Sequence, residues 1–449
     1  MAYILYISNK EAVNPFYEDA WYQLANERNI GKDLFRFLLL KGTADSIPTE
    51  LIKSDCKAVI INWMGQNDDK RLLAVFDLAK VKQIPVMSCY TFACLPAGYL
   101  IDDAVKSRIA DYLRSNGAAN TKNLFLFVLA EFLHLNLVYT APKELPWAGI
   151  YLPGEDVLAK EEYYEKHYDP AKPTVVVHFP REHWVWGQLA YVDMLVDELR
   201  KLGCNALPIF SHWNRNKEQG IPAFEENFNT FAKLGGKVIP SALINCLWFS
   251  LTVGRDIDDR ELLKNINIPI IQGEILLQDI NEWQNSRWGL EDNEIQANIV
   301  MPEFDGVIHG VPIAGRQRIN SMIRLVPIKH NITLLALKAF NWARLKQKKN
   351  TEKHVALIFH NYPAGNATIG TAMGLDSLRS GEIILQALKD KGYETGELPQ
   401  SKGWLAKRIL SSFTNEISFC KKNGEIAGDY PIHKYAGWYD NLLVKNKKH

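Results

Sequence analysis

Two stretches of this 449-residue chain follow one plan, and that plan narrows the folds open to it. Residues 175–210 and 355–399 each run from a β-branched and aliphatic segment through a polar loop into a helix-period segment, then a glycine and a second extended stretch that ends near proline. An alternating apolar run followed by a 3.6-residue stripe reads as a strand–loop–helix–strand unit, the building block of parallel sheets. In the first helix Leu189, Val192, Leu195, Val196 and Leu199 form the stripe; in the second it is Ile383, Ile384, Leu385 and Leu388. Gly203 and Gly392 stand where a left-handed residue closes a helix. Loops at the carboxyl ends of such strands are where α/β sheets hold ligands. Two such halves facing each other would enclose a cleft between their loops.

The rest of the chain extends the pattern. Residues 2–7, 57–63 and 84–88 read as strands separated by helix-period segments, so 1–148 is expected to be an amino-terminal α/β domain. Residues 149–173, charged and tyrosine-rich, suit a connector; 174–346 form a second α/β domain, and 347–449 a third α/β unit. The fold expected is therefore α/β, with several Rossmann-like or flavodoxin-like parallel-sheet units around an interdomain cleft.

Composition removes several functions. A formal net charge of +1 with dispersed basic residues gives no footprint for nucleic acid or an anionic membrane. The most apolar helix-period run, 124–139, is interrupted by Glu131, His134 and Asn136 and is shorter than the roughly 20 residues a bilayer requires. No signal peptide is expected, because Met1 runs straight into a strand, and six cysteines without C-x-x-C spacing read as reduced thiols; both suit a cytoplasmic location. The glycine spacing of 365–372 is that of a phosphate loop, but Thr371 stands where lysine is needed and Ala372 where a hydroxyl is needed. Nucleotide binding by this chain is therefore not expected. The histidines show no structural zinc spacing.

Several strings recur in one known family. His360-Asn361-Tyr362-Pro363, Gly370, Gly374-Leu375-Asp376-Ser377, Gly392-Tyr393 and Pro399 resemble the CobN-type large subunit of aerobic cobaltochelatase, in the CobN/magnesium-chelatase H family. Gly149-Ile150-Tyr151, the 175–181 run VVVHFPR, Leu207-Pro208-Ile209-Phe210 and Pro302-Glu303-Phe304-Asp305-Gly306 are similar to the same family, in the same order. The resemblance covers roughly 149–400 and implies an amino-terminal portion of a subunit that holds a tetrapyrrole during metal insertion. The family's Gly-x-His-Gly-x-x-Glu motif has no match: after His309-Gly310, position 313 is Ile. The chain alone is therefore expected to be inactive.

The resemblance implies a tetrapyrrole (hydrogenobyrinate a,c-diamide, or a porphyrin in the alternative), cobalt or alternatively magnesium as the inserted metal, and AAA+ ATPase chelatase subunits as partners; it leaves open a separate chain carrying the remainder of the large subunit, a truncated form, and a non-catalytic tetrapyrrole-binding module or remnant. It also suggests site residues, each with a plainer alternative. Arg181 suits a carboxylate arm, and His183, Trp184 and Trp186 offer faces to a macrocycle; ordinary interdomain packing explains them equally. His360 and Asn361 follow a strand and could face ligand or metal, or anchor their own loop. Asp376 is a substrate-contacting acid or a helix N-cap. Glu303 and Asp305 could take pyrrole protons, with His309 delivering metal; Asp305-Gly306 is also a turn signal, and Glu303 could pair with Arg316.

Overall fold

The computed structural model describes residues 2–10, 13–40, 52–65, 69–90, 97–155, 157–212, 215–252, 258–308, 310–319, 322–363, 368–411 and 430–441. The chain divides into two compact units, 1–347 and 348–449.

The first unit holds two α/β sheets. Strands β1 (Tyr3–Ser8), β2 (Phe35–Leu39), β3 (Cys56–Trp63), β4 (Val86–Tyr90) and β5 (Ala97–Tyr99) form a sheet of order β2-β1-β3-β4-β5, parallel except for β5. Alternation along β1 explains its two covered faces. Ile4 and Tyr6 meet the helices Asn14–Arg28 and Ala118–Leu133, while Tyr3, Leu5 and Ile7 meet the helix Lys70–Lys82. Of these strands β2 and β5 had no expectation in the sequence, because Phe35–Leu39 and Ala97–Tyr99 are short and lack alternation.

Strands β6 (Ala148–Ile150), β7 (Thr174–Pro180) and β8 (Asn205–Ser211) open the second sheet. A small ribbon, β9 (Lys233–Leu234) with β10 (Lys237–Val238), precedes β11 (Ala242–Asn245), β12 (Ile270–Asp279), β13 (Gly310–Ile319) and β14 (Met322–Pro327). The order is β14-β13-β12-β11-β7-β8-β6, parallel in the middle with antiparallel edges β14 and β6. Residues 149–173 are thus more than a bare connector: they supply the edge strand, the helix Lys160–Lys166 and the fully buried Tyr163, whose hydroxyl donates to the Ala206 carbonyl at 2.8 Å. Val192, Leu195, Val196 and Leu199 are buried against this sheet, and Gly203 closes their helix at φ 84°. The architecture is α/β with parallel-dominant sheets.

The second unit departs from its expected plan. Helix Ser377–Asp390 forms, with Gly392 at φ 80°, but among the described residues 354–360 and 393–398 pair in no sheet. A small ribbon, β15 (Thr371–Ala372) with β16 (Leu375–Asp376), leads into the helix. Of the expected stripe, Ile383 and Ile384 are exposed and Leu385 and Leu388 half-buried; the helix fully buries only Gly381 and Glu382. A stripe is hidden only when a sheet face lies under it, and among the described residues of this unit no such sheet exists.

Candidate functional site

Both sheets of the first unit aim the carboxyl ends of their strands into one cavity of about 550 Å³. In the first sheet the strand order reverses between β1 and β3, and Asn9 and Lys10 after β1 and Met64 after β3 line it. In the second it reverses between β7 and β11, and Arg181 and Glu182 after β7 and Leu247, Trp248 and Phe249 after β11 line it. Crevices at such switch points are where open α/β sheets bind ligands. The Asn9 side chain ties the first pair of loops, donating to the Met64 carbonyl at 2.9 Å and accepting from its amide at 2.7 Å.

The walls are mixed. Phe16, Trp147, Trp248 and Leu277 give apolar surface, and Lys10, Arg114 and Arg316 outnumber the one carboxylate among the lining residues, Glu182. His212 lies 3.5 Å from Glu182 and meets the Trp147 ring edge-on at 5.9 Å. Burial pushes the Lys10 ammonium down to about 8, with Cys89 and Glu182 pulling the other way. The arrangement suits a flat, partly apolar ligand that carries acidic groups.

The expected site residues separate. Arg181 lines the cavity but is spent on the backbone. It is 1% exposed; Nε donates to the Pro146 carbonyl at 2.8 Å and Nη2 to those of Ser115 and Leu145 at 3.0 and 3.2 Å, while the guanidinium sits 4.4 Å from the Trp147 ring centre. His183 also lines the cavity; its Nδ1 shares a 2.7 Å hydrogen bond with the Tyr191 hydroxyl, and burial pushes it down to about 3, so it is neutral. Trp184 and Trp186 do not line the cavity. Trp184 stacks on Phe210 at 4.4 Å with planes 9° apart, and Trp186 is buried against Phe16 and Tyr17. The buried Trp186 has no face for a macrocycle, and one face of the half-buried Trp184 is taken by Phe210.

Asp305, expected as a proton acceptor, is used in this fold as a tether. It is buried and accepts from Ser250 Oγ at 2.7 Å, Leu251 N at 2.5 Å and Thr252 Oγ1 at 2.6 Å, fixing the loop after Trp248 and Phe249. Asp305→Ala would leave the buried Leu251 amide without its acceptor and break the bonds from two hydroxyls, so it is expected to lower stability by roughly 2 kcal/mol, read as a shift in urea midpoint at unchanged m-value. Glu303 is exposed and lines no described cavity. His309 lies outside the described residues.

His360, Asn361 and Asp376 belong to the second unit. His360 contributes to a pocket of about 260 Å³ with Phe359, Gly370 and Ile384, and its carbonyl accepts from Gly370 N at 2.8 Å. Asn361 Oδ1 accepts from Thr368 Oγ1 at 2.9 Å. Asp376 is the helix cap, accepting from Arg379 N at 2.9 Å. No group of three or more His, Cys, Asp or Glu side chains is placed to hold a metal among the described residues.

Sequence reasoning passed over Glu274. It lies on β12, 4% exposed, and burial first and the neighbouring Glu294 second push its carboxyl up to about 7. The signal was present, since Glu274 is the one charged residue in the otherwise apolar or neutral run 266–277. Lys10 and Trp248 were also passed over, although each closely follows a strand.

The family model described as CobN/Magnesium Chelatase matches residues 110–449. A Methanocaldococcus jannaschii protein, MJ0908, is 34% identical over 364 residues, covering 78% of this chain and 30% of its own length. The aerobic cobaltochelatase subunit CobN of Pseudomonas aeruginosa is 24% identical over 348 residues, covering 76% of this chain and 27% of its own. The H-type magnesium-chelatase subunit of Rhodobacter capsulatus is 27% identical over 60% of this chain and 24% of its own length. Among solved structures, the catalytic subunit of cobaltochelatase from Mycobacterium tuberculosis superposes with a TM-score of 0.56 at 20% identity, covering 100% of this chain and 35% of that one. The chain spans about 30% of the length of the curated relatives it matches.

Proposed function

The chain belongs to the CobN/magnesium chelatase family, and from that premise we propose that it is a portion of a chelatase large subunit whose cavity between the two sheets of residues 1–347 holds a tetrapyrrole. The observation that carries this reading is the convergence of two topological switch points on one mixed-walled cavity, in which lining cations outnumber lining carboxylates although Arg114 is paired with Asp111 at 2.6 Å. Lys10, Arg114 and Arg316 would meet acidic arms of the ring, and Trp147 and Trp248 its apolar surface. The chain's own work is to bind and orient the ring and to exclude water from one side of it. The metal is substrate, and ATP hydrolysis is assigned to AAA+ partner subunits. The substrate favoured is hydrogenobyrinate a,c-diamide, for cobalt insertion in cobalamin biosynthesis.

A porphyrin receiving magnesium is the second reading, because the H-type magnesium-chelatase relatives match at 25–27% identity, as closely as the cobaltochelatase ones at 23–24%. Titrating the purified chain with hydrogenobyrinate a,c-diamide and with protoporphyrin, read by tryptophan emission, separates them. Saturable quenching by the first alone supports the cobalt branch; no quenching by either removes the cavity as a tetrapyrrole site and leaves a non-binding remnant.

Lys10→Ala is expected to weaken binding about 10- to 150-fold, the worth of one charge-assisted contact of roughly 1.5–3 kcal/mol. The sign of its pH dependence follows from the depressed ammonium. Below about 8 Lys10 is charged and affinity is flat; as pH rises through that value the free protein loses the proton and affinity falls. An affinity that stays constant from pH 7 to 9.5 would remove Lys10 from the contact.

A further inference from the structure

We propose that Phe249 is held in a strained backbone conformation so that its ring forms a stacking face of the cavity and takes the flat conjugated surface of the ligand. The inference rests on the reading of that cavity as a tetrapyrrole site. Phe249 follows β11, at the switch point of the second sheet, and lines the cavity. Its φ is 65°, in the left-handed region that a bulky side chain rarely enters. Other described residues with positive φ, such as Asn29, Gln83 and His134, close helices; Phe249 closes none. Glycine takes such a conformation at no steric cost, so a turn alone does not call for phenylalanine here. Nor does a core, since Phe249 belongs to none of the buried clusters among the described residues.

The surroundings over-determine this backbone, as they must for a strained residue to persist. Leu247 is fixed before it: its carbonyl accepts from Gln272 Nε2 at 2.7 Å and its amide donates to Asn245 Oδ1 at 3.3 Å. Trp248 donates through Nε1 to the Ile275 carbonyl at 3.2 Å. The Phe249 amide donates to the Ala297 carbonyl at 2.8 Å, in the π-helical turn Gln296–Val300. Such turns recur at functional sites. Asp305 then holds Ser250, Leu251 and Thr252. Every residue from 247 to 252 is thus tied, and the fixed loop presents the Phe249 ring, 37% exposed, to the cavity. An uncharged aromatic face packs against another flat π-surface and offers nothing to a lone carboxylate. The acidic groups of the ligand fall to the cationic side chains of the same cavity.

The test titrates the full chain and its Phe249→Ala, Phe249→Gly and Phe249→Tyr variants with hydrogenobyrinate a,c-diamide and with protoporphyrin. Both variants without the ring should bind about 5- to 150-fold more weakly, the span for loss of one stacking partner. Phe249→Tyr, which keeps the ring, should retain most of the affinity. Thermal melts add a readout that loss of the ring alone would not set. Alanine is ordinarily more stabilising than glycine in a loop, but at a left-handed position the order reverses. Phe249→Gly should therefore melt about 2 °C above Phe249→Ala. Wild-type affinity in both ring-less variants overturns the inference and leaves the cavity as the site. So does affinity restored in Phe249→Gly alone, which would make the position one of backbone geometry, or a Phe249→Ala that melts above Phe249→Gly. No binding by the wild type removes the tetrapyrrole reading and this inference together.

Discussion

Arg181→Ala is expected to destabilise the 1–347 unit by roughly 4 kcal/mol, since it leaves the buried Ser115 carbonyl without its donor at about 1–3 kcal/mol and removes two part-buried hydrogen bonds at about 1 kcal/mol each. The acceptors are the carbonyls of Ser115, Leu145 and Pro146, and they come from different parts of the unit. Ser115 ends the helix Asp103–Ser115, where a cation also meets the negative end of the helix dipole. Leu145 and Pro146 belong to the segment joining the two sheets, and Arg181 itself follows β7. One guanidinium therefore fastens the end of that helix and the joining segment to the second sheet, at the edge of the cavity. Arg181→Lys should restore only part of the loss, because an ammonium cannot span acceptors that the planar fork reaches together. Urea unfolding followed by tryptophan emission measures both variants. A wild-type midpoint for Arg181→Ala would return the residue to the ligand-contacting role that its place after a strand suggested.

The contrast between Arg181 and Lys10 marks what the sequence carries and what it leaves out. Strand positions were legible because aliphatic runs such as 57–63 and 175–179 have few alternatives, and the helix 190–201 because its stripe has one period. The carboxyl-end rule also pointed to the correct loop after β7. It could not say which side chains of that loop turn outward. Arg181, Trp184 and Trp186 carry the chemistry of a ligand site, and the fold uses the first on backbone carbonyls and the other two in its cores. Lys10 and Trp248 also follow strands closely, but what surrounds them in the cavity comes from other elements: Cys89 and Glu182 for Lys10, and the Ile275 carbonyl for Trp248. Asp376 was open between acid and cap, and its carboxylate accepts from Arg379 N as a cap does. The second unit shows the same limit from the other direction. Its stripe at 383–388 is readable, but burial depends on a sheet that local periodicity does not contain.

Glu274→Gln is expected to stabilise the unit by about 3 kcal/mol at pH 8, since one pKa unit is worth about 1.4 kcal/mol, and to change little near pH 4.5. The carboxyl sits at about 7 in the fold against an ordinary value of 4.5, raised first by burial and then by Glu294. A raised carboxyl means that the folded state holds its proton more tightly than the unfolded one. Stability from this group is thus greatest below the unfolded value, declines as pH rises from about 4.5 to about 7, and stays low above. Glutamine is neutral throughout and removes that decline. Glu294 is not an equivalent target. It is buried too, but it accepts from Leu277 N at 2.5 Å, Gln278 Nε2 at 2.6 Å and Glu291 N at 3.1 Å, so Glu294→Gln should destabilise at every pH. Thermal melts of both variants between pH 5 and 8 give the check. A gain for Glu274→Gln that does not grow with pH would show that its charge is not what the fold resists. A gain that grows as expected would identify Glu274 as a carboxyl that this fold keeps near neutrality on the strand leading into the cavity wall at Ile275–Leu277.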